Sequence, residues 1–570
     1  MYNKIAKLHM TCRKHRLYTN PKYILNKIVR QLHAKNMLPA IVFVFSRKKA
    51  QNLAETIEMS LFPEDMAVNV EKECRKIMLK LPNNKEYTNL PEFHMIIQLL
   101  QKGIAVHHSG VLPVFREMIE IMFEKGFIKL LFATETFAVG VNMPTKTVLF
   151  TGLEKYDGQG NEGHFRYLHA HEYTQMAGRA GRRGLDKIGH VILLQNLFDF
   201  PNYSEMSHML NGKPQTLESK FEIHYNMIFR LILQEQFDFE GFASNSMLHN
   251  ELKKQVLYYE DKKQEKMKDI EKKEQSLYLI SDKELLLEVD QKHYEMSKLK
   301  NKKRRRVLNE INNMFDLHRN LKSQYDKYKE IQEEKNEVYN LENDAKQTDS
   351  YVNTCIDNVK DILRKLEFLK EDTLTKYGEI AVQFNEIHCL AGTYLYFNTD
   401  LKSLSVNELT SLLAVFCDVR FDKSESKKDN SSQQLKPSPP PPPPLPIESS
   451  STDINTIISQ VKDFVYKLEK EEQAYNYTSE YVDFSEQFCD IIYSWCEADS
   501  TEKAQEVIQK ANMYGLYLGN FVRAVLKIYN ISLELEKVCE FDNNIELLEK
   551  VKKIPEKILK FVVTSQSLYI

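Results

Sequence analysis

The stretch QMAGRAGRRG, residues 175–184, decides the fold class of this chain. Two of its arginines, Arg179 and Arg182, stand three residues apart among glycines and alanines. Arginine is always charged, and its planar guanidinium matches phosphate oxygens two at a time. Small neighbours let the backbone come close to a ligand or to a second lobe. The stretch therefore predicts a turn that presents guanidinium groups to a polyphosphate.

A second stretch, ATETFAVGVNMP, lies upstream at residues 133–144. It follows Lys129–Ala133, one of several short apolar runs that predict the buried strands of a parallel α/β sheet. The other predicted strands are Ala40–Phe45, Ile104–His107, Thr147–Phe150 and Gly189–Leu194, and the helices among them are Lys49–Met59, Pro113–Lys125 and His171–Met176. Such a sheet binds its ligands at the carboxyl ends of its strands. The polar residues at those ends are Ser46, Arg47, His108, Ser109, Gly110 and Thr134.

In this order and at this separation, the two stretches resemble motifs V and VI of superfamily-two helicases. The fuller resemblance is to the exosome-assisting DExH-box RNA helicases, the Ski-two-like branch. The sequence contains no G-x-x-x-x-G-K-[ST] and no Asp-Glu-x-His or Asp-Glu-x-Asp string after an apolar strand. Those motifs hold the nucleotide's β- and γ-phosphates and magnesium. We therefore expect the first RecA-like lobe to be missing and the chain to correspond to the C-terminal half of the motor.

The resemblance implies that ATP and Mg²⁺ are held mainly by the missing lobe, with this chain closing over them. Arg179 and Arg182 match the motif VI fingers on the γ-phosphate, and Gln175 lies near them for the phosphate or the attacking water. Such a finger is worth about 10³–10⁵ in rate, because it stabilises charge on the transferring phosphoryl group. The other residues that match the family's nucleotide site are Gly140, Asn142, Met143 and Gly178. Outside such motifs, a pair of arginines usually forms a surface salt bridge.

The resemblance also implies contacts with RNA phosphates. A strand that ends in Thr-Glu-Thr supplies hydroxyls and free N–H groups, which hold phosphate without reading a base. The expected RNA-binding residues are Ser46, Arg47, His108, Ser109, Gly110, Thr134, Glu135, Thr136, Lys155, Tyr156, Arg166 and Arg523. Adjacent residues on a strand point to opposite faces, so His107 and His108 predict no metal site.

Residues Gly152–His171 connect the two motifs and predict a β-hairpin, because their centre is rich in Gly, Asn and Asp and is flanked by aromatics. In the family this hairpin lies against RNA at the duplex junction. Stacking by Tyr156 or Phe165 would separate strands without sequence preference. A plain surface hairpin is the alternative, and the extra residues Gly160–Gly163 would change its tip.

Downstream of the lobe the chain predicts mainly helices, since no glycine occurs between Gly241 and Gly378. A seam typical of a coiled coil is formed by Val307, Ile311, Met314, His318, Leu321, Tyr325 and Tyr328. The fold class is therefore an α/β RecA-like lobe followed by mostly α domains. With the family's order, the segments are an N-terminal remnant (1–20), the second RecA-like lobe (21–205), a winged helix (206–250), an antiparallel coiled-coil stalk of an arch without its KOW fist (251–375) and a C-terminal helical domain (376–570).

Two further segments keep more than one interpretation. The polar insertion at 423–451 contains six prolines at Pro439–Pro444 and predicts an exposed loop, either a ligand for an SH3, WW or profilin-type module or a bare low-complexity insertion. The basic run Lys302–Arg306 fits a nuclear-import signal, an RNA contact or a solvated helix face.

Charge and composition narrow the class of protein. The net charge is −2 over 570 residues, so any affinity for nucleic acid must come from local basic surfaces. The eight cysteines lack zinc-site spacing, and no apolar run is long enough to span a membrane, so we expect an intracellular protein, nuclear or cytoplasmic. The resemblance implies an ATP-dependent RNA helicase that works 3′ to 5′ in RNA processing or decay.

Its expected partners are RNA, the missing lobe in cis or in trans, and an RNA-decay complex such as the exosome. Alone, the chain should hydrolyse no ATP. The alternatives are a non-catalytic RNA-binding scaffold left by a split or truncated gene, and a DNA helicase of the same superfamily.

Overall fold

The computed structural model describes residues 2–14, 20–138, 143–157, 164–198, 201–212, 217, 219, 221–235, 238–279, 281–419, 421, 452–479, 482, 484–564 and 566–569. The chain divides into two compact units. One consists of Met1–Thr216, Gln383–Lys467 and Glu480–Ile570, and the other of Leu217–Val382 and Leu468–Ser479.

The strands are β1 Ala40–Phe43, β2 Ile104–His107, β3 Leu130–Ala133, β4 Thr147–Phe150, β5 Glu154–Asp157, β6 His164–Tyr167, β7 His190–Leu193, β8 Leu369–Lys370 and β9 Thr373–Leu374. The helices are α1 Tyr2–Lys14, α2 Pro21–Ala34, α3 Arg47–Glu55, α4 Glu64–Met78, α5 Asn84–Thr88, α6 Pro91–Gln101, α7 Pro113–Glu124, α8 Ala170–Ala177, α9 Tyr203–Asn211, α10 Tyr225–Leu233, α11 Phe239–Ser244, α12 Met247–Tyr278, α13 Lys283–Lys298, α14 Asn301–Leu317, α15 Leu321–Lys365, α16 Lys376–Ala381, α17 Cys389–Asn398, α18 Val406–Leu413, α19 Thr452–Ala474, α20 Glu486–Glu497, α21 Thr501–Met513, α22 Leu518–Phe541, α23 Ile545–Val551 and α24 Ile554–Ile558.

The central feature of the first unit is a sheet of five strands in the order β2-β3-β1-β4-β7. All of its pairings are parallel, and Ala40 of β1 aligns with Leu130 of β3 and with Thr147 of β4. Strands β1, β2, β3 and β4 are buried along their whole length, as expected for a parallel sheet covered on both faces. The predicted α/β lobe with a parallel sheet is confirmed.

Helix α3 ends earlier than predicted. It covers Arg47–Glu55 instead of Lys49–Met59, and the Ser46 side chain accepts a hydrogen bond from the Lys49 amide at its start. At its end, the Asn26 side chain donates to the Thr56 carbonyl (2.8 Å) and accepts from the Glu58 amide (2.9 Å). This tertiary contact takes the backbone groups that a longer helix would use.

Within the first unit, the C-terminal helices contact the sheet domain at two places. The loop after β2 meets the start of α22, where the Gly519 amide donates to the Gly110 carbonyl (3.1 Å). A Cβ on Gly519 would lie 2.5 Å from the Val111 oxygen, so only glycine fits there. Beyond α24, Ser567 and Leu568 donate to the Glu117 carboxylate on α7, and Tyr569 donates to Glu120 one turn later.

The second unit is built on the long helices α12 and α15. Lys263 pairs with Glu342, and further along α12 Lys273 pairs with Glu334, so the two helices run antiparallel. Their apolar side chains share one core cluster with those of α13 and α14. The mostly helical character predicted for this part of the chain is confirmed.

The predicted seam does not lie on one continuous helix. Its apolar residues belong to the core cluster, but α14 ends at Leu317 and α15 begins at Leu321. His318 is exposed, and Asn320 adopts the left-handed conformation (φ 73°). Asparagine takes this conformation more easily than most residues. It therefore breaks the helix in a stretch where the absence of glycine gave no sign of a turn.

Some predictions fall on residues outside the described ranges. They are the proline-rich insertion at 423–451 and the hairpin tip Gly160–Gly163. Among the helices that the structure describes, none combines the length and apolar character required to cross a bilayer.

Candidate functional site

Motif VI begins inside α8 and continues into the loop behind it. The helix has Gly178 as its C-cap, and Gln175 and Gly178 are both exposed. The Arg179 carbonyl then accepts the amide of Thr145 (2.8 Å), and Ala180 forms an isolated parallel bridge with Thr145. Since Thr145 lies two residues before β4, motif VI lies at the amino-terminal edge of the sheet.

The small residues of motif VI are required by the chain's own packing. Gly181 has φ +94°, and its Cβ position lies 3.2 Å from the Gly189 Cα. A Cβ on Gly189 would lie 2.4 Å from the Ala180 oxygen. The small residues thus let the backbone of motif VI come close to Gly189, the residue before β7, and not only to a ligand or a second lobe as predicted.

Arg182 is held by a carboxylate that the sequence analysis missed. Its Nε and Nη2 donate to Oδ2 and Oδ1 of Asp186 at 2.7 and 3.0 Å. The hydrogen bond from Arg182 lowers the pKa of Asp186 to about 2. Burial lowers the pKa of the Arg179 guanidinium, and arginine remains charged in proteins. The i,i+4 spacing of Arg182 and Asp186 was the available signal.

Motif V starts at the opposite edge of the sheet, behind β3. The Thr134 amide donates to the His107 carbonyl (3.2 Å), and the Thr134 and Thr136 hydroxyls lie 3.0 Å apart. Residues Glu135–Ala138 form a 3₁₀ turn. Gly140 and Asn142 lie outside the described residues, and the side chain of Met143 is buried.

The predicted hairpin is confirmed as the antiparallel pair β5–β6. Tyr156 and Phe165 face each other across the strands with ring centroids 5.6 Å apart, and they are 53% and 62% exposed. An exposed aromatic pair of this kind provides flat surfaces on which bases can stack.

The two hairpin cations expected to touch RNA are engaged within the chain. Lys155 pairs with Glu135 (2.8 Å) and Glu172 (2.7 Å). Arg166 pairs with Asp157 (2.8 Å) and, through two nitrogens, with Glu172 (2.8 and 2.9 Å). Glu172 was not singled out from the sequence, because nothing in its local pattern shows that two cations converge on it.

Three arginines gather around the loop after β2. Arg523 of α22 donates to the Ser109 carbonyl (2.9 Å), and Arg47 lies 5.8 Å from the centre of the Tyr517 ring. Burial, together with the charges of Arg116 and Arg47, lowers the pKa of Arg523. Arg116 on α7 is a residue that the sequence analysis missed, and its buried Nε has no hydrogen-bond partner among the described residues.

His108 lies in the middle of this cluster and is fully buried. Burial, followed by the charge of Arg47, lowers its pKa to about 3, so the ring is neutral at physiological pH. Its Nδ1 accepts the Gly110 amide (3.1 Å), which leaves the proton on Nε2. Within the described part of the chain, this Nε2 has no partner and His108 belongs to no group that could hold a metal ion.

Comparison with known proteins shows that this α/β lobe, with its arginine-rich loop after α8, belongs to the helicase class. Residues 64–184 match the helicase conserved C-terminal domain, and residues 371–566 match the DSHCT (NUC185) domain. The chain is a member of the Ski-two-like branch of superfamily-two helicases and corresponds to a C-terminal part of them.

Three relatives illustrate the similarity. The antiviral helicase SKI2 of Saccharomyces cerevisiae is 40% identical over 247 residues, which are 42% of this chain and 18% of that protein. The ATP-dependent RNA helicase mtr4 of Schizosaccharomyces pombe is 42% identical over 212 residues, 37% of this chain and 18% of that protein. The human exosome RNA helicase MTR4 is 38% identical over 220 residues, 39% of this chain and 20% of that protein. The matches thus span about a fifth of these relatives.

Proposed function

We propose that this chain is the C-terminal part of an ATP-dependent RNA helicase that unwinds RNA 3′ to 5′ in RNA processing or decay. The observation that carries the proposal is the arginine-rich loop after α8, which is fixed by the contacts of Arg179 and Ala180 with Thr145, in a lobe that also matches the helicase C-terminal domain. Relatives that align with the chain are named as ATP-dependent and exosome RNA helicases.

In this proposal Arg179 and Arg182 face the γ-phosphate of ATP, and Gln175 orients the phosphate or the attacking water. Gly140, Asn142, Met143 and Gly178 complete the nucleotide contacts. The guanidinium groups suit phosphate oxygens, whereas Asp186, the carboxylate beside them, is taken by Arg182 and is not available to Mg²⁺. Mg²⁺ and most of the triphosphate would therefore be held by the first RecA-like lobe, in cis or in trans.

RNA would cross the other edge of the sheet. Arg47, Arg116 and Arg523 provide three positive charges around one loop. His108, which was expected to contact RNA, is fully buried and accepts the Gly110 amide instead. Ser46, Ser109, Gly110, Thr134, Glu135 and Thr136 line the same ends of β1, β2 and β3. Tyr156 would stack at the duplex junction. Contacts of this kind hold the phosphate backbone and carry no sequence preference.

The remaining segments take the family's roles in this proposal. Residues 206–250 form the winged helix, 251–375 a coiled-coil stalk without a KOW fist, and 376–570 the C-terminal helical domain, whose α22 carries Arg523. RNA and an RNA-decay complex such as the exosome are the proposed partners.

Reconstitution tests the proposal. The purified chain is assayed for ATP turnover alone and with a P-loop-bearing RecA-like lobe of the same branch, supplied in trans or joined in one polypeptide. We expect no turnover from the chain alone and RNA-stimulated turnover with unwinding from the pair. RNA binding without turnover by the pair would favour the scaffold alternative, and a preference for DNA duplexes would favour the DNA helicase.

A further inference from the structure

Helix α8 connects the two edges of the sheet. At its start, the Tyr173 ring stacks on Phe150 at the carboxyl end of β4, with centroids 5.3 Å apart. Just past its end, the Arg179 carbonyl accepts the amide of Thr145, in front of β4. The helix has eight residues and a length of about 12 Å. It therefore joins the hairpin side of the lobe to the arginine side.

Glu172 lies at the hairpin end of this helix. Its Oε2 accepts the backbone amide of His169 (2.8 Å), which closes a capping box at the start of α8. The same carboxylate accepts Nη1 and Nη2 of Arg166 on β6 and Nζ of Lys155 on β5. The side chain is only 14% exposed.

The cluster extends beyond Glu172 to motif V. Lys155 also pairs with Glu135 in the 3₁₀ turn behind β3. Burial raises the pKa of Glu172, but the hydrogen bonds from Arg166 and Lys155 outweigh it and hold the pKa far below its usual range. Hydrogen bonding to Glu172 likewise raises the pKa of Arg166. Glu172, Arg166 and Lys155 are therefore charged at physiological pH. Through these ion pairs, the Glu172 carboxylate ties the hairpin, motif V and α8 together.

We infer that Glu172 is a positioning residue that couples RNA at the hairpin and motif V to the motif VI arginines. The inference rests on the proposed function. RNA that orders the hairpin or the 3₁₀ turn also orders Lys155 and Arg166, and through Glu172 it orders the start of α8. Because α8 continues directly into motif VI, this restricts the positions of Arg179 and Arg182. Such coupling is reciprocal for binding, so nucleotide should strengthen RNA binding by the same factor.

Glu172→Gln tests the inference because glutamine keeps the length of the side chain and an oxygen for the His169 amide. The matched control is Glu205→Gln. Glu205 occupies the same position in α9 and forms the same capping box, with Asn202. Both variants are compared with the wild type in the two-lobe assembly, by ATP turnover with and without saturating oligouridine RNA. Thermal melts verify that each variant folds.

We expect RNA to stimulate ATP turnover strongly in the wild type and in Glu205→Gln. In Glu172→Gln we expect stimulation of about twofold or less, which lies below the range of about 5–150-fold that is usual for coupled sites. In the chain alone, RNA should slow amide exchange at residues 170–177 in the wild type and in Glu205→Gln but not in Glu172→Gln. If Glu172→Gln does not melt cooperatively, Glu135→Gln is used in its place, because it removes the ion pair between Glu135 and Lys155. This variant should partly reduce both the RNA stimulation of ATP turnover and the slowing of amide exchange.

Full stimulation and protection in Glu172→Gln, or in Glu135→Gln where that variant is needed, would overturn the inference and leave the proposed function standing. Absence of RNA stimulation in the wild-type assembly would overturn the proposed function and the inference with it.

Discussion

The Arg182 guanidinium and the Asp186 carboxylate form a two-point ion pair, and the Arg182 amide donates to the same carboxylate at 3.1 Å. Asp186 thus fixes both the backbone and the side chain of Arg182. A side chain that is already ordered loses less conformational entropy when it binds a ligand. The pair would orient one of the two proposed fingers before the lobes close.

The first prediction concerns the pH dependence of this pair. The pKa of Asp186 falls from 3.8 to about 2 in the folded chain, so the stabilisation is complete above the unfolded value and disappears as pH falls through the folded one. We expect Asp186→Asn to cost about 1 kcal/mol or less at pH 7, since the pair is partly solvated. Urea denaturation from pH 7 down to pH 2 should show this difference shrinking below about pH 4. A difference that stayed constant to pH 2 would contradict the assignment.

The second prediction separates the arginines of motif VI. In the two-lobe assembly, Arg179→Ala and Arg182→Ala should each lower ATP turnover by about 10³-fold or more, because each removes charge from the γ-phosphate. RNA affinity should stay within a few-fold. The exposed Arg183 is the control, and Arg183→Ala should retain turnover. Normal turnover in Arg182→Ala would show that this residue is not a finger.

The third prediction is made for the chain as it stands. Binding of single-stranded RNA should weaken steeply with salt, because phosphate contacts release counterions. Replacing Arg47, Arg116 or Arg523 by alanine should each reduce the salt slope by about 1. The exposed Arg30 on α2 serves as the control. If Arg30→Ala changed the slope as much as Arg116→Ala did, the three-arginine cluster would not be the phosphate site.

The fourth prediction concerns the hairpin. Tyr156→Ala should leave ATP turnover in place and impair duplex separation, because the proposed role of its exposed ring is to stack on bases at the junction and not to contact the nucleotide. Tyr156→Phe keeps the ring and should unwind like the wild type. Parallel measurement of turnover and strand separation tests this. Loss of ATP turnover in Tyr156→Ala, or strand separation as fast as in the wild type, would place Tyr156 at a different site.

The positions of the sheet strands and of the motifs could be predicted from the sequence, because buried parallel strands are short, continuous apolar runs with polar residues at their ends. The ends of the helices were harder to predict. Helix α3 stops where Asn26, far away in sequence, binds Thr56 and Glu58. The break after Leu317 uses Asn320 in a left-handed turn, and a glycine count gives no sign of it.

The site was predictable only as far as its motifs extend. Asp186, Glu172 and Arg116 belong to none of the quoted motifs. Asp186 contacts its near neighbour Arg182, whereas Glu172 and Arg116 take their roles from contacts with other elements of the fold. Arg116 is close to Arg523 although more than 400 residues separate them. The family resemblance predicted Lys155 and Arg166 as RNA contacts, whereas the structure shows that both pair with carboxylates of the chain.

The contact between α7 and the last residues has a consequence for synthesis on the ribosome. Glu117 is translated 450 residues before Ser567, its hydrogen-bond partner. At a translation rate of about 5–20 residues per second, roughly 20–90 s pass between the synthesis of Glu117 and that of Ser567. Throughout that interval, Glu117 and Glu120 on α7 lack the partners that Ser567, Leu568 and Tyr569 later supply. A chain whose synthesis stops within the C-terminal helices therefore leaves Glu117 without Ser567 and Leu568, and Glu120 without Tyr569, so that α7 presents more acidic surface than it does in a chain that contains those residues.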